Sequence, residues 1–263
     1  MNLLEIKRDL NKSALALLLY VLSVQILAVL LVLLLPLTKI PLLSDQYICM
    51  VISVIISYCL LDNIFPKETV TEPGPEKPSF SVLSFLHYFM LFQAAQWIGG
   101  IINIPIMTLF TKLGLNLSFS EEAARGGSLT NAPMLFYTIL VAPLMEELVF
   151  RGIFYRRFRS YGKYFAAFYT AFFFALMHSN FLQFAPAFSM GMILFFIRDR
   201  HGLPYSILLH FSNNLLAIVV NNLSQDSTLI QGIYGGFLLA GMFYGIYFVL
   251  KNRTHFSEDY QYE

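Results

Sequence analysis

Eight stretches of almost uninterrupted apolar residues divide the chain, at about 14–36, 46–65, 82–110, 131–155, 164–181, 183–198, 203–222 and 228–250. Each reaches or approaches the roughly 20 residues that carry a helix across roughly 30 Å of hydrocarbon. The pattern predicts an all-α, polytopic membrane bundle of about eight transmembrane helices. The sixth stretch is the shortest and is expected to be tilted or partly re-entrant. The first is too long for the apolar region of a signal peptide and lacks a small-residue cleavage site, so it is expected to remain as an anchor.

Composition agrees with the pattern. The chain is 57% hydrophobic and 13% charged, with a mean hydropathy of +0.64, whereas roughly a quarter of a soluble domain is charged. The net charge of +1 is uninformative, but the placement of the charges is not. Lys7, Arg8 and Lys12 precede the first stretch, and Arg156, Arg157, Arg159 and Lys163 separate the fourth from the fifth. Arg198 and Arg200 follow the sixth, and Lys251 and Arg253 follow the eighth. Eight crossings from a cytoplasmic N-terminus put all of these groups, and both termini, on the cytoplasmic side, as the positive-inside rule requires. The intervening loops at 37–45, 182 and 223–227 carry only Lys39.

The segment 67–78 holds three prolines and a glycine without apolar periodicity and reads as an extended linker. It divides the chain into an N-terminal helix pair (1–66), a Pro-rich cytoplasmic linker (67–80) and a membrane core (81–255). A second loop, about 111–130, offers a short amphipathic turn at Ser120-Glu-Glu-Ala-Ala. Pro105, Pro133, Pro143 and Pro186 fall in or at the ends of stretches, and a kink at Pro143 would widen the space beside Glu146. The pairs Gly241/Gly245, Ala95/Gly99 and Ala187/Gly191 have the small-xxx-small spacing that lets helices pack closely within a bundle. Cys49 and Cys59, about 15 Å apart along one helix, are too distant for a disulfide with each other and read as packing residues.

The polar residues inside these stretches carry the chemistry. Glu146 and Glu147 are adjacent within an apolar run, where a carboxylate costs several kcal/mol unless it is paired, protonated or facing a polar cavity. Arg151 lies one turn beyond Glu147, in place for an ion pair. Neighbouring helical residues point about 100° apart, so Glu146 is left with a separate role, and a carboxyl in a low-dielectric cavity suits a general base. His178 follows Phe174 by four residues, and His210 and Asn214 share one helix face. Taken singly, each has an ordinary reading as a helix–helix hydrogen bond. Taken together they supply a base, a second water-holding group and two donors for a developing oxyanion, the parts of an amide hydrolase that uses activated water. The same set reads alternatively as zinc ligands, His178 and His210 with Glu146. Of the two, the metal-free option is preferred, because an amide beside His210 serves better as an oxyanion donor than as a zinc ligand. There is no His-Glu-x-x-His motif and no serine elbow. His87, His201 and His255 lie near predicted ends or in loops and read as bystanders.

Glu146-Glu147-x-x-x-Arg151, Phe174-x-x-x-His178 and His210-x-x-x-Asn214 resemble, in order, the three motifs of the CAAX protease and bacteriocin-processing (CPBP/Abi) family of intramembrane proteases. The resemblance covers about 130–220, and Glu146-Glu-Leu-Val-Phe-Arg-Gly152 is its most specific string. It implies a helical bundle with a conical cavity. Glu146 and His178 would activate water, His210 and Asn214 would stabilise the oxyanion, and Glu147, Arg151 and Phe174 would support the site. It implies a peptide or membrane-protein substrate, contact with membrane lipid and no nucleic-acid partner. The compact size and short tails look like bacterial members in the plasma membrane, linked to peptide maturation or bacteriocin self-immunity. A non-proteolytic regulator or immunity partner, and a transporter, are the readings to be separated from a protease. One geometric demand follows: Glu146 and His178 differ by about 7 Å in depth when counted from their helix ends, so a kink, tilt or helix extension must bring them together.

Overall fold

The computed structural model describes residues 3–65, 78–118, 120, 131–225 and 227–259, the side chains of 254–259 excepted. Its helices are α1 (Leu3–Leu34), α2 (Gln46–Ile64), α3 (Val82–Lys112), α4 (Ala132–Tyr161), α5 (Lys163–Met177), α6 (Phe181–His201), α7 (Leu203–Ser224) and α8 (Thr228–Asp259). No strand occurs among the described residues. Seven of these helices are long and apolar enough to cross a membrane, and α5 is not. The outward faces of α1 and α8 keep Ile26, Val29, Leu33, Ile233, Phe243 and Val249 exposed, a surface that only lipid solvates at low cost. The protein is an integral membrane protein.

The short helix is thus the fifth and not the sixth. The polar pair Ser179-Asn180 ends it: Ser179 adopts a left-handed φ of 50°, and the Asn180 side chain caps α6 by accepting from the Leu182 N–H. That gain lets α6 run for 21 residues. Asp45 caps α2 in the same way, accepting from the N–H groups of Tyr47 and Ile48. The expected turn at Ser120-Glu-Glu-Ala-Ala falls almost wholly outside the described residues, as does most of the Pro-rich linker. Both cysteine thiols are free.

Aromatic and small residues build the core. Val149, Phe150, Phe154 and Phe158 of α4 meet Ala166, Ala167, Phe173 and Phe174 of α5 and Phe195 of α6, and Ala16, Leu17 and Tyr20 of α1 close the same cluster. The N-terminal helices therefore pack directly against α4 and α5. At one end of the bundle, charged clamps tie the helix ends together. Arg157 and Tyr161 bond Asp9 of α1, Arg159 donates to Asp199 of α6 at 2.7 Å, and Arg156 lies 3.8 Å from Asp62 of α2.

The small-residue spacings mark helix–helix contacts inside the bundle. A Cβ on Gly99 of α3 would lie 2.3 Å from the Pro186 Cα of α6, and one on Gly245 of α8 would lie 2.6 Å from the Ala94 Cβ of α3. At Gly99 the obstacle is backbone, so relief requires the helices to separate. Gly99→Ala is expected to destabilise the fold by about 1–3 kcal/mol or more. Gly100→Ala, with nothing within 4 Å, is expected to leave the unfolding midpoint in detergent unchanged. Equal midpoints for the two variants would contradict this packing.

Candidate active site

The site is built on an irregular stretch of α4. π-helical turns at Phe136–Val141 and Leu148–Phe154 flank the α-helical segment Ala142–Glu147. The Ala142 N–H reaches back to the Tyr137 carbonyl in the wide register, so the next residue would donate to Thr138. That residue is Pro143, which has no N–H. The orphaned Thr138 carbonyl is instead satisfied by the Asn214 side-chain amide of α7 at 3.0 Å. A proline in α4 and an asparagine in α7 thus solve one problem jointly, and the wide turns re-aim the glutamates that follow.

Glu147 and Arg151 are both fully buried, and the Arg151 Nη1 donates to Glu147 Oε1 at 2.9 Å. The guanidinium is held on its other sides. Nη2 donates to the Gly191 carbonyl of α6 at 2.9 Å, and Cζ lies 4.6 Å from the centre of the Phe174 ring. Gly191 is required here, since a Cβ would lie 3.2 Å from Arg151 Nη2 and 3.0 Å from the Ala171 Cβ. The Arg151 carbonyl accepts in turn from Arg198 Nε at 3.0 Å. A charge pair removed from water needs such partners to be tolerated, although Arg151 Nε itself has no hydrogen-bond partner among the described residues.

His210 joins the two glutamates. Its Nδ1 lies 3.0 Å from Glu147 Oε1, and its Nε2 lies 3.6 Å from Glu146 Oε2. Adjacent residues on a helix diverge, as the sequence indicates, but one imidazole has two nitrogens and spans the divergence. With Nδ1–H donated to Glu147, the Nε2 side is directed towards Glu146. Phe174 is the hub beneath: its ring meets His210 edge-on at 5.7 Å and His178 edge-on at 4.9 Å, between centroids. His178 is the residue that caps α5, its Nδ1 lying 2.9 Å from the Phe174 carbonyl, which fixes the ring and leaves Nε2 without a hydrogen-bond partner among the described residues. Glu146, Glu147, Arg151, Phe174 and His210 are therefore in one cluster. His178 joins it through Phe174, and Asn214 joins it through the backbone of α4.

Among the described residues, no three His, Cys, Asp or Glu side chains are placed to hold a metal ion together. Glu147 is committed to Arg151 and His210, and one nitrogen of His178 is committed to the Phe174 carbonyl. The zinc set of His178, His210 and Glu146 is not assembled in this arrangement.

Several neighbours went unread in the sequence. Tyr20 of α1 and Tyr137 of α4 lie within electrostatic reach of Glu146. Asn213, one residue before Asn214, accepts from Gln96 Nε2 of α3 at 2.7 Å, with the buried Gln93 beside it at 3.5 Å. Gln93 and Gln96 stand at helical spacing in an apolar run, the same signal that drew attention to Asn214. Tyr20 offered no such signal, since tyrosine is common in apolar helices.

Residues 128–216 match the family described as "Type II CAAX prenyl endopeptidase Rce1-like". The matched stretch contains Glu146, Glu147, Arg151, Phe174, His178, His210 and Asn214. Residues 128–216 form an Rce1-like segment. A curated relative of this chain, "Putative membrane peptidase YdiL" of Bacillus subtilis (strain 168), is 23% identical over 197 residues, which cover 72% of this chain and 78% of the relative. No solved structure matches the chain. The matched segment spans α4, α5, α6 and the first part of α7, so Tyr20, near Glu146, and Gln93 and Gln96, at Asn213, reach it from outside.

Proposed function

We propose that the protein is an intramembrane endopeptidase that hydrolyses a peptide bond with activated water. The observation that supports this most is the convergence of Glu146 and Glu147 on the single ring of His210, at 3.6 and 3.0 Å, inside an apolar bundle. Glu147 is neutralised by Arg151 and orients His210. Glu146 has no such partner and is the base. Water adds to the carbonyl carbon as its proton passes to Glu146, with His178 Nε2 as the second group holding that water. The oxyanion forms facing the second amide hydrogen of Asn214 and His210, which donates from Nε2 when both of its nitrogens carry hydrogen. The proton on Glu146 then goes to the departing amine, giving a free carboxyl and a free amino terminus. The substrate is a peptide or membrane protein that enters from the lipid or from the cytoplasmic face, and the host membrane is the bacterial plasma membrane with both termini inside. Peptide maturation and bacteriocin self-immunity are the cellular roles that fit.

The test is cleavage by purified protein in bilayers, read by product mass, on a panel of prenylated and unmodified peptides. Activity is expected to survive exhaustive chelation. Stoichiometric zinc, with activity lost on chelation and restored by adding zinc back, would overturn the metal-free reading while leaving the protease reading intact. A non-proteolytic membrane regulator is favoured by one observation, the commitment of the Asn214 amide to Thr138. It predicts no product from any peptide and undiminished biological activity after Glu146 is replaced. A transporter would need its ionisable groups strung along a route across the membrane. Glu146, Glu147, Arg151 and His210 instead form one compact cluster.

A further inference from the structure

A cavity of about 560 Å³ lies at the bundle end that carries the charged clamps, between the start of α3, the end of α6 and Tyr244 of α8. It is lined by Ser79, Ser81, Ser84, His87, Arg200 and His201, with Leu83, Leu86 and Met90 forming an apolar wall. His87 and His201 are the two histidines that look like bystanders in the sequence. Their bonding separates their tasks. His201 has both nitrogens engaged, Nδ1 at 3.1 Å from the Pro78 carbonyl and Nε2 at 3.1 Å from the Tyr88 hydroxyl, and so fixes the rim formed by residues 78–81. Phe80 adds to this rim by stacking on Tyr205, 4.2 Å between centroids. His87 has its Nδ1 2.6 Å from the Tyr244 hydroxyl, and with Tyr244 as donor its Nε2 carries a hydrogen. That Nε2 has no partner among the described residues.

Arg200 decides the sign of the ligand. It is exposed, and no carboxylate partners it among the described residues, although Arg156, Arg157 and Arg159 at the same end all have one. Among the described residues, no acidic side chain lines the cavity. A guanidinium with no carboxylate among the described residues, an imidazole N–H and serine hydroxyls able to donate around one space suit an anion. Arginine's planar fork matches a phosphate group in particular. The wall argues that this phosphate carries hydrocarbon: Leu83 and Leu86 are 76% and 51% exposed in the first turns of α3, an apolar surface an acyl chain would cover. Basic pockets between helices at a membrane surface are the common form of anionic-lipid headgroup sites.

We propose that this cavity binds the phosphate headgroup of an anionic lipid, with Arg200 and His87 as donors and Leu83 and Leu86 against an acyl chain. Purified protein in neutral detergent would be titrated separately with short-chain phosphatidylglycerol, with short-chain phosphatidylcholine and with inorganic phosphate. Bound copies would be counted by native mass spectrometry. Wild-type protein is expected to bind phosphatidylglycerol in preference to phosphatidylcholine, and Arg200→Gln to weaken that binding about tenfold or more, as loss of a charge-assisted hydrogen bond implies. His87→Gln is expected to weaken it less. Lys112→Gln, at the far end of α3, is expected to have no effect. Because Arg200 is exposed and has no carboxylate partner among the described residues, its variant is expected to retain the fold, which an unchanged unfolding midpoint would verify. Equal binding of phosphatidylglycerol by wild type and Arg200→Gln would overturn the proposal. Inorganic phosphate binding as tightly as the lipid would overturn the lipid assignment.

Discussion

Glu146→Gln is expected to lower peptide-bond cleavage by about 10²–10⁴, the range that removal of a general base produces, with the protein still folded. The two halves of this expectation have separate causes. Glu146 is only half-buried, and its nearest polar neighbour, His210 Nε2, is 3.6 Å away, beyond hydrogen-bond length. Exchange of the carboxylate for an amide therefore breaks no bond on which folding depends. It does remove the one carboxylate of the pair with no cation to neutralise it, and an amide cannot take a proton from water. Glu146→Ala is expected to lose as much activity. Single-turnover cleavage and thermal unfolding on the same samples separate chemistry from folding. Full activity in both variants would end the enzyme reading.

Glu147 and Arg151 invert that pattern. Each is fully buried, so Glu147→Gln leaves a guanidinium without its carboxylate in the bundle and Arg151→Met leaves a carboxylate without its cation. Either single change is expected to cost about 3–5 kcal/mol of stability, even though Ser206 also lies beside Glu147. The double variant is expected to cost less than the two singles added, by about 0.5–3 kcal/mol, because neither charge is then left alone. Reversible unfolding from bicelles measures all four corners of the cycle. A coupling near zero would show that the pair is an accident of placement. Both singles are also expected to impair cleavage, since Glu147 is the group that holds His210 Nδ1.

The sequence was most legible where physical penalties are largest. Carboxylates in an apolar run demand an account, and the partner that spacing offers Glu147 is the partner found. The glycine and alanine spacings likewise announced close helix contacts, because only small residues permit a Cβ clash to be avoided at Gly99, Gly191 and Gly245. Hydropathy also placed the spanning helices. It erred on which helix is short, because apolar content is blind to a two-residue break such as Ser179-Asn180. What could not be read was the pairing of one imidazole with both glutamates. That depends on how far the π-turns of α4 rotate the glutamates towards α7, and a wide turn leaves no fixed mark in composition. Pro143 was a visible cause of irregularity. Its remedy, the Asn214 amide on the Thr138 carbonyl, is a contact across 76 positions of sequence.

The brevity of α5 has a consequence for the membrane itself. Fifteen residues rise about 22 Å, short of the roughly 30 Å of an average hydrocarbon layer. The polar turn His178-Ser179-Asn180 therefore ends inside what would be the acyl region of an undeformed bilayer. A dimple in the lipid around that turn would bring water to the helix end that bears His178, in keeping with the proposed site. Hydrophobic mismatch of this kind costs a fraction of a kcal/mol per Å and grows with acyl length. Host lipids with short chains relax that strain, whereas long or sterol-stiffened chains oppose it. The water supply of the site is in this way set partly by the thickness of the membrane around it.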